Sequence, residues 1–572
     1  MLNITDQDQR YSRNIMKKIL VLLPIVSTII FCMIPNFFPG IPYASDEPFH
    51  MSRIMSLADA LREGLFPAKV HPNLCYGLGY GVGFFYDDAL IYFPAILVLA
   101  GISLEISYKI FILCVFIAIS ATMFYSCKKL SNNNQAASFA AAIFLLSNRI
   151  VGQLYVDFTI GNLCGAIFLP LAIAGIYIWI HEKKGLGMFI IGFTGLMYCH
   201  AITTILAFSV CLLIAIVNIR SIFGEIKKLV GLILSSIYIF LITMAYWLPM
   251  WQQFHVQTYK SKAPWTTEEQ NVISPAGLIT DTRGIGILIV LTFIISIAFA
   301  LIIYKKYMTR WSKIRNEVLD FLVLGATYMA IPCIHIIWHL VNLKFTLIQF
   351  PARLFMPASV LIIFAFSIEI SALSNELTKT KYRRYIVNLC TLLCIIGTAY
   401  IYFAIYPNSL KNTNHEILNE VENYSIAGAG AGQEWLPIET DLDELKNNTD
   451  TAIADDGSIV IGQKINENSQ YVFRAELKHQ YYDVPYIYYR GYTATDENGV
   501  EYEVDKNPQN GLVRIFILKQ QAGNAVITIK YQDTKYAKLS YAVSLIALAA
   551  GVLTFTANKY RNRKFLEKID VV

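Results

Sequence analysis

Ile19-Leu20-Val21-Leu22-Leu23-Pro24-Ile25-Val26-Ser27-Thr28-Ile29-Ile30-Phe31-Cys32-Met33-Ile34-Pro35 is followed closely by Tyr43-Ala44-Ser45-Asp46-Glu47-Pro48-Phe49-His50-Met51-Ser52-Arg53, so an apolar run ends on an acidic pair. The run follows Arg13, Lys17 and Lys18; positive-inside bias puts the N-terminus in the cytoplasm and Asp46 outside. No small-residue cleavage site comes after it, so it reads as a retained first helix and not a removable signal peptide. Nucleotide sugars and ATP do not occur on the outer side. Chemistry at Asp46 therefore needs a substrate already delivered across the bilayer.

The composition agrees: 55% of residues are hydrophobic, 15% are charged, and the mean hydropathy is +0.47. A single soluble core is excluded. The net charge of +6 comes from Lys and Arg at the ends of apolar runs, which argues for basic cytoplasmic loops and against a nucleic-acid partner. The cysteines lie almost wholly inside apolar runs, a pattern that indicates neither a disulfide framework nor a zinc site.

A window of about 19 residues predicts spans near 19–36, 106–126, 136–151, 163–180, 186–199, 202–219, 229–250, 284–304, 319–341, 354–372, 385–405 and 539–557, about twelve transmembrane helices. Leu186 to Ile219 reads as two short passes joined at Cys199-His200. Only an even number of crossings leaves Lys183-Lys184 and Arg220, Lys227 and Lys228 on the same side. Residues 37–105, 251–283 and 406–538 then lie outside, with both termini cytoplasmic. The first of these segments predicts an amphipathic surface helix over Met51 to Leu65, a Gly- and aromatic-rich stretch from Tyr76 to Tyr86, and an apolar run from Ala89 to Ala100 too short to span.

From Ser458 to Tyr531 apolar and polar residues alternate, as in Tyr471-Val472-Phe473-Arg474-Ala475 and Val526-Ile527-Thr528-Ile529, and Asp496-Glu497-Asn498-Gly499 offers a turn. The expected fold is a polytopic α-helical membrane protein with a small extracytoplasmic β-sandwich-like domain before the last helix. By chain order it divides into residues 1–405, 406–538 and 539–572. Gly428-Ala429-Gly430-Ala431-Gly432 makes a flexible or close-packed joint ahead of the strands. Trp247, Trp251 and Trp265 suit an interfacial belt.

Phe49-His50-Met51-Ser52-Arg53 after the acidic pair, Leu61-Arg62-Glu63-Gly64-Leu65-Phe66-Pro67, Gln349-Phe350-Pro351-Ala352-Arg353, Glu434-Trp435-Leu436-Pro437 and Val484 to Tyr492 form a set spread along nearly the whole chain. The set resembles bacterial GT-C membrane glycosyltransferases, in the branch often labelled 6-pyruvoyl-tetrahydropterin synthase-related. One departure is Asp157-Phe158-Thr159-Ile160-Gly161-Asn162, where relatives often carry an Arg-Gly-x-x-Gly-Glu-like stretch. The resemblance implies transfer of a sugar from a polyprenyl-phosphate donor to a glycan or glycopolymer acceptor at the outer face of the bacterial cell membrane. No cofactor is certain, though some relatives use a divalent cation.

Such a transfer needs a base for the acceptor hydroxyl, and Asp46 is the first choice, with Glu47 next. Alternatively the pair caps the helix that starts near Pro48. A lipid-phosphate leaving group needs a fixed cation; Arg353 fits, or is instead a snorkelling anchor. Lys69 is a weaker substrate-binding candidate. His50, three residues before Arg53, could orient a substrate group together with it, or be structural. His200 could join the site or be a neutral ring bonded to a backbone carbonyl. His335 and His339 share a helical face but lack a third ligand at helical spacing, which counts against zinc. A transporter or flippase for a lipid-linked oligosaccharide is the alternative; it would spread charged residues through the bundle interior. A third reading, a scaffold presenting the β-domain, would make Asp46 and Arg353 dispensable.

Overall fold

The computed structural model describes residues 6–262, 266–306, 312–342, 348–376, 380–411, 413–414, 429–430, 432–447, 449–465 and 469–569. Trp265, Gly428 and Ala431 of the expectations above lie outside them. The chain is mostly helical. Among the described residues, six helices are long and apolar enough to cross a membrane: Leu104–Ser131, Asn134–Tyr155, Ile160–Glu182, Pro351–Ser374, Arg384–Ile405 and Lys535–Thr554. Two bent pairs, Ile226–Ile242 with Met244–Val256 (67°) and Asn316–Cys333 with His335–Asn342 (71°), raise the number to eight if each is one span. Lys18–Cys32, Leu186–Met197, Ala201–Val217 and Ile287–Leu301 are shorter apolar helices.

Packing groups the chain into two compact units that do not follow chain order. The first holds Met1–Ala58, Asp88–Lys228 and Ser261–Gly432. Its centre is formed by Asn134–Tyr155 and Pro351–Ser374, which are buried throughout, while Arg384–Ile405 is mostly uncovered. Gly175 and Gly192 bring Ile160–Glu182 against Leu186–Met197, because a side-chain carbon at either glycine would collide with the other helix's backbone. Ser103 and Asn133 accept backbone N–H groups at the starts of Leu104–Ser131 and Asn134–Leu145. Strand β1 (Ile41–Pro42) pairs antiparallel with β2 (Thr413–Asn414) and leads into the helix Glu47–Arg62. That helix begins earlier than expected, and it is no surface helix: Glu47, His50, Met51, Arg53, Ile54 and Leu57 are all buried. Its polar residues are enclosed with partners, which an amphipathic reading of the sequence does not register.

The second unit holds Asp59–Asp87, Leu229–Lys260 and Gln433–Val572. Strands β3 (Thr451–Ala454), β4 (Ile459–Ile461), β5 (Gln463–Ile465), β6 (Gln470–Glu476), β7 (Tyr481–Ile487), β8 (Tyr492–Asp496), β9 (Glu501–Lys506), β10 (Leu512–Phe516) and β11 (Asn524–Tyr531) form one antiparallel sheet, in the order β4-β3-β7-β10-β9-β8-β11-β6-β5. The sandwich-like expectation is corrected here. Strands β4 and β5 lie at opposite ends of that order yet are separated in sequence only by Gly462, so the sheet curls until its ends meet and is nearly closed. Gly462 is necessary because a side chain there would overlap the Tyr471 ring. The Asp496–Gly499 turn joins β8 to β9, with Asp496 Oδ1 accepting the Asn498 and Val500 N–H groups at 2.9 Å each.

Motifs far apart in the sequence pack together in this unit. The Phe85 and Trp435 rings stack at 4.7 Å, the Tyr489 hydroxyl donates to the Trp435 carbonyl at 2.9 Å, and Gly81 has no room for a side chain against the Tyr489 ring.

Candidate functional site

Asp46 ends the loop before the helix Glu47–Arg62, and its carbonyl accepts the His50 N–H at 3.1 Å, which makes it the N-cap position. Its own N–H donates to the Asp157 carbonyl at 3.1 Å, beside Ser45 N–H to Val156 at 3.2 Å. This corner is thereby tied to the turn that precedes Ile160–Glu182. Asp46 is half-buried and Glu47 fully buried. Glu47, His50 and Arg53, spaced three apart, share a helical face.

Arg53 is fully buried and pairs with Asp88 at 2.5 Å, its guanidinium 5.4 Å from the Phe49 ring centre. His50 lies 4.9 Å from the Phe49 ring and 6.3 Å from the Phe158 ring, which in turn stacks on Tyr108 at 5.5 Å. Burial, then the Arg53 and His200 charges, hold His50 well below the usual imidazole range; Asp88 opposes them. The ring is neutral at neutral pH.

His200 is the N-cap of Ala201–Val217, with Nδ1 accepting the Thr203 N–H at 3.2 Å, which leaves the ring proton on Nε2. The Thr203 hydroxyl is 2.8 Å from that Nδ1 and 2.8 Å from Asn162 Oδ1. Desolvation and the Arg353 charge push the His200 imidazole down as well. The ring therefore caps a helix, and it also feels Arg353.

Arg353 sits in the short helical turn Pro351–Leu354, its Nη1 donating to the Ile348 carbonyl at 2.6 Å. Gln349 takes a positive φ of 59°, and buried Glu268 fixes this turn by accepting the Ile348 and Gln349 N–H groups at 2.8 and 2.9 Å. Two guanidiniums, those of Arg353 and Arg283, face the Phe350 ring at 5.3 and 5.6 Å. Arg283 also reaches the Asp157 carboxylate at 3.4 Å. A run of direct contacts thus leads from Asp46 through Asp157, Arg283 and Phe350 to Arg353, and a second, electrostatic one from Arg353 through His200 to His50.

Lys69 belongs to the second unit, where Nζ donates to the Gly83 carbonyl at 3.2 Å and lies 3.7 Å from Asp87. It lines a cleft with Tyr486, Tyr492 and Tyr531. Sequence reasoning missed Asp88, Asp157, Arg283, Asn162 and Glu268 as members of these networks. Their only signal was polarity at the edges of apolar runs; Asp157 and Asn162 also mark the departure from the family pattern. Three ligating side chains with donor atoms within 4.8 Å of one another occur, among the described residues, at Asp455, Asp456 and His479 and not at Asp46 and Glu47.

No protein-family model matches the chain. Over 205 residues it is 26% identical to an uncharacterized protein of Lactococcus lactis subsp. cremoris (strain MG1363), a stretch covering 34% of this chain and 33% of that protein. The chain spans about a third of that relative's length.

Proposed function

We propose that this chain is a polytopic membrane glycosyltransferase of the GT-C type, with about twelve crossings, that moves a sugar from a polyprenyl-phosphate donor to a cell-surface glycopolymer or lipid-linked glycan outside the membrane. The observation that carries the reading is the run of contacts from Asp46 to Arg353, because it groups a carboxylate and two guanidiniums in one unit. In the proposed step the acceptor oxygen bonds to the anomeric carbon as the carbon–phosphate oxygen bond breaks, its electron pair leaving with the polyprenyl phosphate. The acceptor proton passes to Asp46, or to Glu47 in its place. A single displacement inverts the anomeric centre. Arg353, with Arg283 beside it, balances the phosphate charge. Neutral His50 and His200 orient polar groups, and Arg53, held by Asp88, fixes the face that presents His50.

The test is the Asp46→Asn variant, read by glycan composition of the envelope and by accumulation of the lipid-linked donor. Loss of transfer with normal membrane insertion supports the reading. An Asp46→Asn, Glu47→Gln double variant with unchanged glycosylation would refute it.

The transporter alternative is favoured by Glu369, a fully buried carboxyl inside Pro351–Ser374 that is hydrogen-bonded to Ser296. Detergent solution separates the two, since a transporter has no sides to connect there whereas an enzyme still transfers sugar.

A further inference from the structure

The helix His335–Asn342 carries imidazoles four residues apart, on one face. Folding brings them a partner that helical spacing could not provide. Glu269, in the short turn Glu269–Asn271, places Oε1 3.0 Å from Nδ1 of His339 and 3.7 Å from Nε2 of His335. All three side chains lie at the protein surface, with exposures of 65% for His335, 49% for His339 and 34% for Glu269.

The turn that carries the carboxylate is fixed from behind. Neighbouring Glu268 is buried and holds the Ile348 and Gln349 N–H groups, and Asn271 Nδ2 donates to the Gln349 carbonyl at 3.2 Å. The helix is fixed as well, through buried Trp338, whose Nε1 donates to the Ile331 carbonyl at 2.9 Å. His335, the most exposed of the three, is the ring with room to turn.

We propose that Glu269, His335 and His339 bind a divalent transition-metal ion of the zinc class. Two imidazole nitrogens and one carboxylate oxygen, completed by water, make a tetrahedral set with ligand distances of about 2.0–2.2 Å. The carboxylate oxygen is within 3.7 Å of a nitrogen on each ring, but the three donor atoms do not all lie within 4.8 Å of one another, so His335 has to rotate to close the set. Calcium and magnesium prefer all-oxygen shells and are disfavoured. An imidazole–carboxylate hydrogen bond alone accounts for His339 but leaves the approach of His335 without a purpose. The Asp455, Asp456 and His479 cluster is a weaker candidate, because its carboxylates already accept the Gln480 and Ser458 N–H groups. The ion ties the His335–Asn342 helix to the turn that holds residues 348 and 349, next to the turn carrying Arg353. The site does not depend on the transferase reading.

The test uses the full-length protein in detergent, stripped with EDTA and titrated with Zn2+ against a chromophoric chelator, with Co2+ absorption reporting the geometry. One ion per chain is expected. Affinity should fall about 100-fold or more in His335→Ala/His339→Ala and about 10-fold in Glu269→Gln, since even outer partners of metal ligands are worth about 10- to 100-fold. Because these side chains are exposed, the variants should keep the wild-type melting temperature; His335→Gln/His339→Gln serves as a second, polar pair. Bound Zn2+ should also slow amide exchange at Ile348 and Gln349, and Glu269→Gln should abolish that effect. Zn2+ binding that is unchanged in both double variants, or absent at micromolar Zn2+, overturns the site; unaltered exchange on binding overturns the tie to the Arg353 turn.

Discussion

Replacing Asp88 by Asn keeps the shape of the Arg53 partner and removes its charge. Arg53 is 0% exposed and Asp88 4%, so neither water nor salt replaces the lost interaction. Two unit charges about 4 Å apart at an effective dielectric of about 20 interact by about 4 kcal/mol, and removing one partner of a buried pair costs about 3–5 kcal/mol. At about 2 °C per kcal/mol for a large unit, the melting temperature should fall by about 6–10 °C. Arg53→Met should cost a similar amount by stranding the carboxylate. The Arg53→Met/Asp88→Leu double variant should recover most of the loss, because well-packed apolar residues substitute for a buried pair at little cost. The assay is a double-mutant cycle on the detergent-solubilised full chain, followed by intrinsic fluorescence during heating. If both single variants melt within about 2 °C of the wild type and their effects add, amounting to about 1 kcal/mol or less, the pair is solvated and the helix Glu47–Arg62 is not enclosed as described.

His50 and His200 are both held below their unfolded value, so the unfolded chain takes up protons first as pH falls; stability is fully present above about pH 6.5 and should drop by about 1.4 kcal/mol per pH unit per histidine below it. Melting temperatures of wild type and His50→Asn/His200→Asn at pH 7.5 and 5.5 check this, the variant showing the flatter dependence. Arg353→Lys should reduce envelope glycosylation less than Arg353→Ala, since the charge survives and the fork does not. Gly462→Val should open the β-sheet and expose its end strands to protease, while Gly457→Asn, a residue that tolerates the positive φ of 85° there and whose added carbon meets no atom, should leave the β4–β5 junction intact.

Reading the sequence located features whose cause is local. Asp46-Glu47-Pro48 marks the start of a helix, Cys199-His200 breaks an apolar stretch into two helices, and the strand alternation with the Asp496–Gly499 turn gives a β-unit. Long-range relations were not legible. A sandwich and a curled sheet share the same alternation; what separates them is that Gly462 connects the two ends of the strand order, a fact of register between strands far apart. The enclosed helix Glu47–Arg62 looked amphipathic because Arg53 and His50 are polar, and only the pairing with Asp88 explains why they can be buried. Glu269 had no signal linking it to His335 and His339, because its turn and their helix meet only in the fold.

The charge arrangement of the first unit has one further consequence for the proposed chemistry. Arg53 and Arg353 each help to suppress protonation of a neighbouring histidine, so positive charge near the acidic corner resides on guanidiniums, which do not titrate in the physiological range. A phosphate leaving group would meet a field that is constant across neutral and mildly acidic pH. In the proposed reaction His50 and His200 would contribute direction, through ring N–H groups and lone pairs, and no charge. Of the two carboxylates proposed as the base, half-buried Asp46 is more accessible to an acceptor than buried Glu47. In the proposed reaction that division of labour, with fixed cations for the leaving group and a carboxylate for the incoming hydroxyl, would require the corner at Asp46 and the turn at Arg353 to be held together, and the contacts through Asp157, Arg283 and Phe350 are of that kind.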